Sequence, residues 1–176
     1  AGRTGWGSAT AAVLAAAVRA GRDKVTLVID PRIETFGLWL EQLLAESTGK
    51  AGTGVVPVAD EALGPVDVYG SDRLFISIGD VDHPVGLDVL ADEGHPVVEL
   101  DLDDPLDLGA QVLVWEVATA LCGAVLGINA FDQPNVAEAK EATRVAALTP
   151  DQRKTEEEAA KKKAAEDAAK ADDEEK

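Results

Sequence analysis

The residue types best suited to proton transfer and to binding a polar substrate are concentrated in three short segments. The first is ESTGK, residues 46–50, and the second joins an acidic pair at 60–61 to the polar run YGSDR at 69–73. The third covers residues 129–140 and contains side-chain amides, an aspartate and, at its far end, Lys140. A carboxylate can act as a general base, an amide can orient hydroxyl groups, and a lysine can stabilise developing negative charge.

Each segment also has a purely structural interpretation. Gly49 is a candidate for a left-handed helix cap, and acidic loop residues are usually only solvated. Turn chemistry accounts for the Asn and Asp side chains of the third segment, because they bond readily to nearby backbone groups. It does not account for Gln133 or for Lys140. The third segment therefore favours a functional role more strongly than the other two.

Metal and cofactor motifs are not found in the sequence. His83 and His95 each precede a proline, and neither has a second histidine or a cysteine at ligand spacing. The single Cys122 rules out a disulfide framework within the chain. No GxGxxG or GxxxxGK[ST] loop occurs, so a nucleotide phosphate site is not indicated. We expect neither a metal nor a cofactor.

The spacing of apolar residues changes repeatedly from helical to strand-like, and three features refine the element bounds. Ser8 is the expected N-cap of the first helix, Gly49 is the expected cap of the second, and residues 51–73 are expected to form a loop. The spacing predicts strands and helices at the following positions: strands 24–30, 73–80 and 96–102; helices 8–20, 34–46, 83–94, 106–126 and one opening near Pro134.

Alternating strands and helices with Val-rich strands predict an α/β fold with a mostly parallel sheet. Three strands make a thin sheet for a chain of 176 residues, and the chain contains no methionine. We therefore expect that the chain is part of a larger protein and that its sheet is incomplete.

Charge and apolar content narrow the range of partners. The net charge of −17 disfavours nucleic acid and anionic membrane surfaces, which would repel the protein. The longest apolar run, residues 117–128, is shorter than the roughly 18 residues of a membrane span. With one cysteine and no secretory signal, the expected location is the cytoplasm.

The composition changes sharply after Pro150. The segment TEEEAAKKKAAEDAAKADDEEK has no apolar residue larger than alanine, so it cannot dock onto a core. We expect one domain at 1–149 and a charged helical or disordered tail at 150–176.

Three separated segments resemble the glucose-6-phosphate isomerase family, in particular the isomerase half of bacterial transaldolase/phosphoglucose isomerase fusion proteins. They are FGLWLEQLLAESTGKAGTGVVPV, YGSDRLF and GAVLGINAFDQPNVAEAK, and the likeness extends over about residues 20–148. The family's C-terminal signature is matched by five residues: Gly123, Phe131, Asp132, Gln133 and Lys140.

This resemblance implies a sugar-isomerase (SIS) fold, a three-layer α/β/α sandwich with a mostly parallel sheet. It implies cofactor-free interconversion of glucose 6-phosphate and fructose 6-phosphate through a cis-enediol. By resemblance Glu61 is the catalytic base, because its loop occupies the place of the family's GEP loop. By the same resemblance Lys140 and Gln133 match the family's pair near the ring oxygen and hydroxyls of the sugar, where Lys140 would assist ring opening and Gln133 would bind and orient the sugar.

The chain also departs from the family pattern. Asp60 stands where glycine is usual, Ala62 stands where proline is usual, and Asn135 replaces a common Gly or Ala. The family's N-terminal SIS half, which holds the sugar phosphate, is not among these residues. We therefore expect the chain alone to have no activity or very weak activity. The expected partner is a missing SIS half or a transaldolase part, and a homo-oligomer is a further expectation that stays open.

The family's catalytic histidine lies on a helix in the region between the second and third predicted strands, and here that region is contracted to residues 79–94. His83 or His95 is a possible replacement, although neither lies in a matching motif. These departures leave an alternative function open, namely a non-catalytic SIS-like module that binds a sugar phosphate or a partner subunit.

Overall fold

The computed structural model describes residues 5–81, 86–102, 104–132, 134–149, 152, 154 and 155. They fall into two compact units, one ending at Asp132 and the other beginning at residue 133. In the described residues the first unit holds four α-helices and four strands, and the second holds one α-helix. Their bounds are α1 Trp6–Arg19, β1 Lys24–Ile29, α2 Thr35–Thr48, β2 Val56–Val58, β3 Arg73–Ile78, α3 Leu87–Asp92, β4 Val97–Leu100, α4 Leu108–Leu126 and α5 Pro134–Ala147.

All strand pairs in the sheet are parallel, in the order β2-β1-β3-β4. The two central strands read KVTLVI and RLFISI, which are rich in the β-branched residues that suit a pleated, buried sheet. They pair along their whole length, with Lys24 opposite Arg73 and Ile29 opposite Ile78. The predicted α/β fold with a parallel sheet is confirmed.

The two faces of the sheet are covered by different parts of the chain. Alternate residues such as Leu27 and Ile76 pack with α1, α2 and α4 in the main core. Thr26 and Phe75 point to the opposite face and are fully buried there. The connection from β1 to β2 runs toward one edge of the sheet, and the connection from β3 to β4 runs toward the other edge. Because parallel crossovers are right-handed, α2 and α3 lie on opposite faces of the sheet. This layering is consistent with an SIS-like sandwich.

Helix α4 is the main contact of α1 within the core. Trp115, Ala118 and Cys122 are completely buried on its inner side, and the helix ends at Gly127 in a left-handed conformation. Within the described residues α4 is also the one helix long and apolar enough to cross a membrane, and 33% of its apolar window is buried. Core helices of globular proteins meet the same two criteria, so length and hydropathy do not assign α4 to a membrane.

In the second unit, α5 begins at Pro134 as the sequence predicts. Its described side chains are exposed to solvent. Glu141 and Arg144, one turn apart, form an ion pair of 2.8 Å, which is typical of a solvated helix surface.

Three local predictions are wrong. Residues 56–58 form β2 inside the predicted loop, because Val-Pro-Val is too short to show a period and proline disfavours strands. Ser8 lies inside α1, where its hydroxyl donates to the carbonyl of Gly5, so it is not the N-cap. Gly49 has a φ of −71°, and the left-handed turn instead follows at 51–52. The charged segment 156–176 lies outside the described residues.

Candidate functional site

The loop between β2 and β3 folds across the face of the sheet opposite the main core. Its start is held by the backbone N–H of Ala59, which donates to the Glu41 carboxylate at 3.1 Å. Further along, the backbone N–H of Gly64 donates to the Tyr69 hydroxyl at 2.8 Å. The Tyr69 ring meets Phe75 edge-on, with 5.0 Å between ring centroids. These contacts fix the loop that carries the acidic pair.

Glu61 projects from this loop onto β1 and β3. The hydroxyl of Thr26 donates to Glu61 Oε2 at 3.0 Å, and Arg73 Nη1 donates to the same oxygen at 3.0 Å. Arg73 Nη1 also donates to Thr26 Oγ1 at 2.7 Å, which closes a ring of three polar groups. The Glu61 side chain remains 28% exposed, so a fixed carboxylate faces accessible space.

The residue before Glu61 has an unusual backbone. Asp60 has a φ of +56°, in the left-handed region that glycine adopts without strain and that most other residues avoid. Aspartate tolerates this region better than most side chains. The loop thus turns at Asp60 as a glycine would let it turn, and this turn aims Glu61 at the sheet.

A second polar cluster joins two of the segments singled out in the sequence. Lys50 is buried, and its ammonium group donates to the carbonyls of Asn129 and Asp132 and pairs with the Asp132 carboxylate at 2.9 Å. The Asn129 side chain accepts the backbone N–H of Phe131 at 3.0 Å, in a tight turn. ESTGK and the start of the third segment therefore lie together in the fold.

The three predicted site residues fall in different parts of the chain. Glu61 lies in the first unit, where its environment is built from β1 and β3. Lys140 lies on α5 in the second unit and is exposed. Gln133 lies outside the described residues, so its role stays a prediction.

Of the two histidines, His83 lies outside the described residues and His95 lies within them. Its ring packs edge-on against Phe75 at 5.5 Å, and its Nδ1 is buried without a hydrogen-bond partner among the described residues. Within that part of the chain no group of three His, Cys, Asp or Glu side chains is arranged to hold a metal ion.

The carboxyl ends of β1 and β3, where ligands often bind in parallel sheets, are occupied by an internal ion pair. Asp30 is 1% exposed and accepts hydrogen bonds from Arg32 and from the backbone N–H of Asp80. The Arg32 hydrogen bonds hold the pKa of the Asp30 carboxyl well below its ordinary value. Gly79 leaves room for it, since a Cβ there would lie 2.8 Å from Asp30 Cβ.

Sequence reasoning missed Thr26 and did not assign Arg73 a role. Thr26 is the one hydroxyl in the strand KVTLVI, and a lone polar residue in a buried strand signals a required hydrogen bond. Arg73 was visible only as part of the polar run YGSDR, because its partner lies twelve residues earlier in the chain.

Comparison with known proteins gives partial similarity to one group of enzymes. The chain is 28% identical to the glucose-6-phosphate isomerase of Lactobacillus helveticus over 152 residues, covering 63% of this chain and 34% of the relative. It is 28% identical to the glucose-6-phosphate isomerase of Caldanaerobacter subterraneus subsp. tengcongensis, covering 61% and 33%. Identity is 29% to a protein named probable glucose-6-phosphate isomerase in Haloarcula marismortui, covering 64% and 35%.

The chain thus spans about a third of the length of the curated relatives it matches. No family model matches it. A crystal structure of a hypothetical protein from Thermus thermophilus has the same fold, with a TM-score of 0.63 and 23% identity over 80% of this chain and 44% of that one. The similarity to glucose-6-phosphate isomerases is confirmed, and the fusion-protein detail stays a prediction.

Proposed function

We propose that this chain is part of a sugar-phosphate isomerase that interconverts glucose 6-phosphate and fructose 6-phosphate through a cis-enediol. The observation that carries the proposal is the Glu61 carboxylate, fixed against β1 and β3 and still open to solvent. A positioned carboxylate of this kind is what proton transfer between neighbouring carbons requires, and it contributes roughly 10²–10⁴-fold in rate.

The backbone at Asp60 supports the assignment of Glu61 as the base. Glycine is usual at this position in the isomerase family, and Asp60 takes the φ of +56° that glycine favours. The departure in residue type therefore preserves the turn. This weakens the alternative of a non-catalytic module, which rested partly on Asp60.

The other proposed roles belong to the third polar segment. Lys140 would assist opening of the sugar ring by stabilising negative charge on the ring oxygen. Gln133 would hydrogen-bond the sugar hydroxyls. The sugar phosphate would be held by a further part of the protein, since the curated relatives are about three times as long as the matched region. We also propose that the chain comes from a transaldolase/phosphoglucose isomerase fusion protein and that this protein is located in the cytoplasm.

Exchange of the carbon-bound hydrogens of the substrate with solvent deuterium is a sensitive test of this function. The purified chain is incubated at high concentration with fructose 6-phosphate in D₂O, and deuterium at C2 of glucose 6-phosphate and C1 of fructose 6-phosphate is followed by NMR. We expect weak exchange, lowered at least a hundredfold in Glu61→Gln and lowered in Lys140→Ala. Glu34→Gln, an exposed carboxylate near the start of α2, is the matched control.

Three outcomes separate the alternatives. Exchange that persists in Glu61→Gln would show that another group is the base. Binding of fructose 6-phosphate without exchange favours the non-catalytic module. If the chain shows no binding and no exchange, both alone and when joined to the N-terminal part of a relative, the proposed function is contradicted.

A further inference from the structure

Two adjoining cavities lie where the starts of α1 and α4 meet the carboxyl end of β4. The first has a volume of about 240 Å³ and is bounded by α1, α4 and the segment after β4. The second, of about 260 Å³, lies between α1 and β4. Trp6 and Asp101 line both cavities, so the two form one cleft, which we name the α1–β4 cleft. It lies at the strand end where parallel sheets commonly bind ligands, and it reaches the lower size range of small-molecule sites, about 300–1,000 Å³.

Gln111 is a buried polar residue in the wall of this cleft. It lies on α4, is 5% exposed and lines the first cavity. The residues that the structure describes give its side-chain amide no hydrogen bond, and its Oε1 is buried. Buried polar groups are nearly always hydrogen-bonded, so this amide indicates a partner within the cavity. A half-turn of the amide exchanges its oxygen and nitrogen, so it can present either an acceptor or a donor there.

The charged groups of the cleft are all carboxylates. Asp101 lines both cavities, Asp107 lines the first and Glu99 lines the second. Among the described lining residues none is lysine, arginine or histidine, so a phosphate or other anion would be repelled. The remaining lining residues are mostly apolar, and Trp6 adds an aromatic ring of the kind that attracts cations. This combination favours a cation that carries an apolar body.

The general acidity of the chain is the competing interpretation, because a net charge of −17 attracts cations loosely to any face. The cleft differs from such a face in its buried amide and in its closely packed walls. A Cβ at Gly7 would lie 3.2 Å from the carbonyl oxygen of Val114, so α1 and α4 are in close contact beside Trp6. The described residues hold no group of three side chains suited to a metal ion, which favours an organic cation.

We propose that the α1–β4 cleft is a binding site for a small organic cation, an ammonium group on an apolar body. The ammonium group pairs with Asp101 and donates a hydrogen bond to the amide oxygen of Gln111, turned toward the cavity. The apolar body lies against Trp6, between α1 and β4. This site is separate from Glu61, and the inference does not depend on the proposed function.

Three probes with the same ring and different charges test the selectivity of the cleft. Cyclohexylammonium, cyclohexanol and cyclohexanecarboxylate are each titrated into the full chain, and the Trp6 indole N–H and the Gln111 side-chain amide are followed by NMR. We expect cyclohexylammonium to saturate these shifts with a Kd of about 1 mM, which is reasonable for a ligand of this size. Cyclohexanol should bind at least about threefold more weakly, and the carboxylate should not saturate, because each loses the ion pair. The Trp39 indole, stacked on Phe36 at 5.3 Å, is the internal control.

Two variants test the residues that carry the proposal. Asp101→Asn keeps the shape and should weaken cyclohexylammonium binding about two- to fivefold, as expected for an exposed ion pair. Gln111→Leu should weaken it about tenfold while leaving the chain at least as stable to urea, since an apolar side chain of similar shape replaces an unpaired amide. Asp67→Asn, which removes the same charge at an exposed position, is the matched control and should leave the affinity unchanged.

The results that would overturn the inference are distinct from these. Equal affinity for cyclohexanol and cyclohexylammonium would show that charge is not recognised. Shifts that stay linear with concentration, or that affect Trp39 as strongly as Trp6, would show only loose association with an acidic surface. An unchanged affinity in both Asp101→Asn and Gln111→Leu overturns the proposal as well.

Discussion

Asp30 has a structural role at the carboxyl end of β1, a position where parallel sheets often bind ligands. Its carboxylate accepts the backbone N–H of Arg32 at 2.8 Å and the backbone N–H of Asp80 at 3.1 Å. It thereby joins the end of β1 to the end of β3. Glu61 is the opposite case, since one of its oxygens is used by the protein and the side chain stays partly exposed.

The lowered pKa of Asp30 predicts a pH dependence of stability. A carboxyl whose pKa is lower in the folded state stabilises the protein above the unfolded pKa, about 3.9, and this contribution is lost as pH falls toward the folded value. Asp30→Asn should therefore reduce the difference in unfolding free energy between pH 7 and pH 3, measured by urea denaturation. Asp67→Asn, at an exposed position, is the control. An Asp30→Asn difference equal to that of the wild type would contradict the assignment.

At the scale of elements, Lys50 connects the segment after α2 to the segment after α4. Its ammonium group lies 2.8 Å from the carbonyl oxygen of Asn129 and 2.9 Å from the Asp132 carboxylate. Thr48 fixes the other side of the turn, because its hydroxyl donates to the carbonyl of Leu44 and accepts the N–H of Val55. Thr48 and Lys50 of ESTGK thus position this loop.

Removing the Lys50 charge should loosen that loop. Lys50→Met keeps most of the apolar stem, so the expected loss of about 1.5–3 kcal/mol in unfolding free energy reflects hydrogen bonds made by a charged group. Amide hydrogen exchange at Ile128 and Phe131 should accelerate. Lys24→Met is the matched control, because the Lys24 pairs with Asp23 and Asp72 are solvent-exposed and contribute little. Loop exchange that is equally fast in both variants would contradict the anchoring role of Lys50.

At the scale of the whole molecule, the sequence predicts strands and helices most accurately where the pattern of apolar residues is long. The strands around Leu27 and Ile76 and the long helix α4 were predictable because apolar spacing persists over a full element. Strand β2 was missed because three residues show no period. The hydrogen bonds that join Thr26, Arg73 and Glu61 were not predictable, since Thr26 and Arg73 are 47 residues apart and meet only through the register of β1 and β3.

Helix α4 presents an apolar surface that the first unit does not cover. Leu113, Val117, Leu121 and Val125 recur every four residues, and each is more than 40% exposed. Single exposed apolar residues are ordinary, but a continuous stripe on one helix face promotes association. The helix carries one charged residue, Glu116, so little opposes such association.

Replacing this stripe should change association without changing the fold. Leucine and glutamine have similar helix propensities, so Leu113→Gln combined with Leu121→Gln should alter the unfolding free energy by no more than about 1 kcal/mol. Self-association in sedimentation and the binding of a hydrophobic dye should both decrease. Trp115→Ala, on the buried side of the same helix, should instead cost about 3–5 kcal/mol. A large loss of stability in the double glutamine variant would show that this face is covered within the chain, and the exposed stripe would then not be available for association.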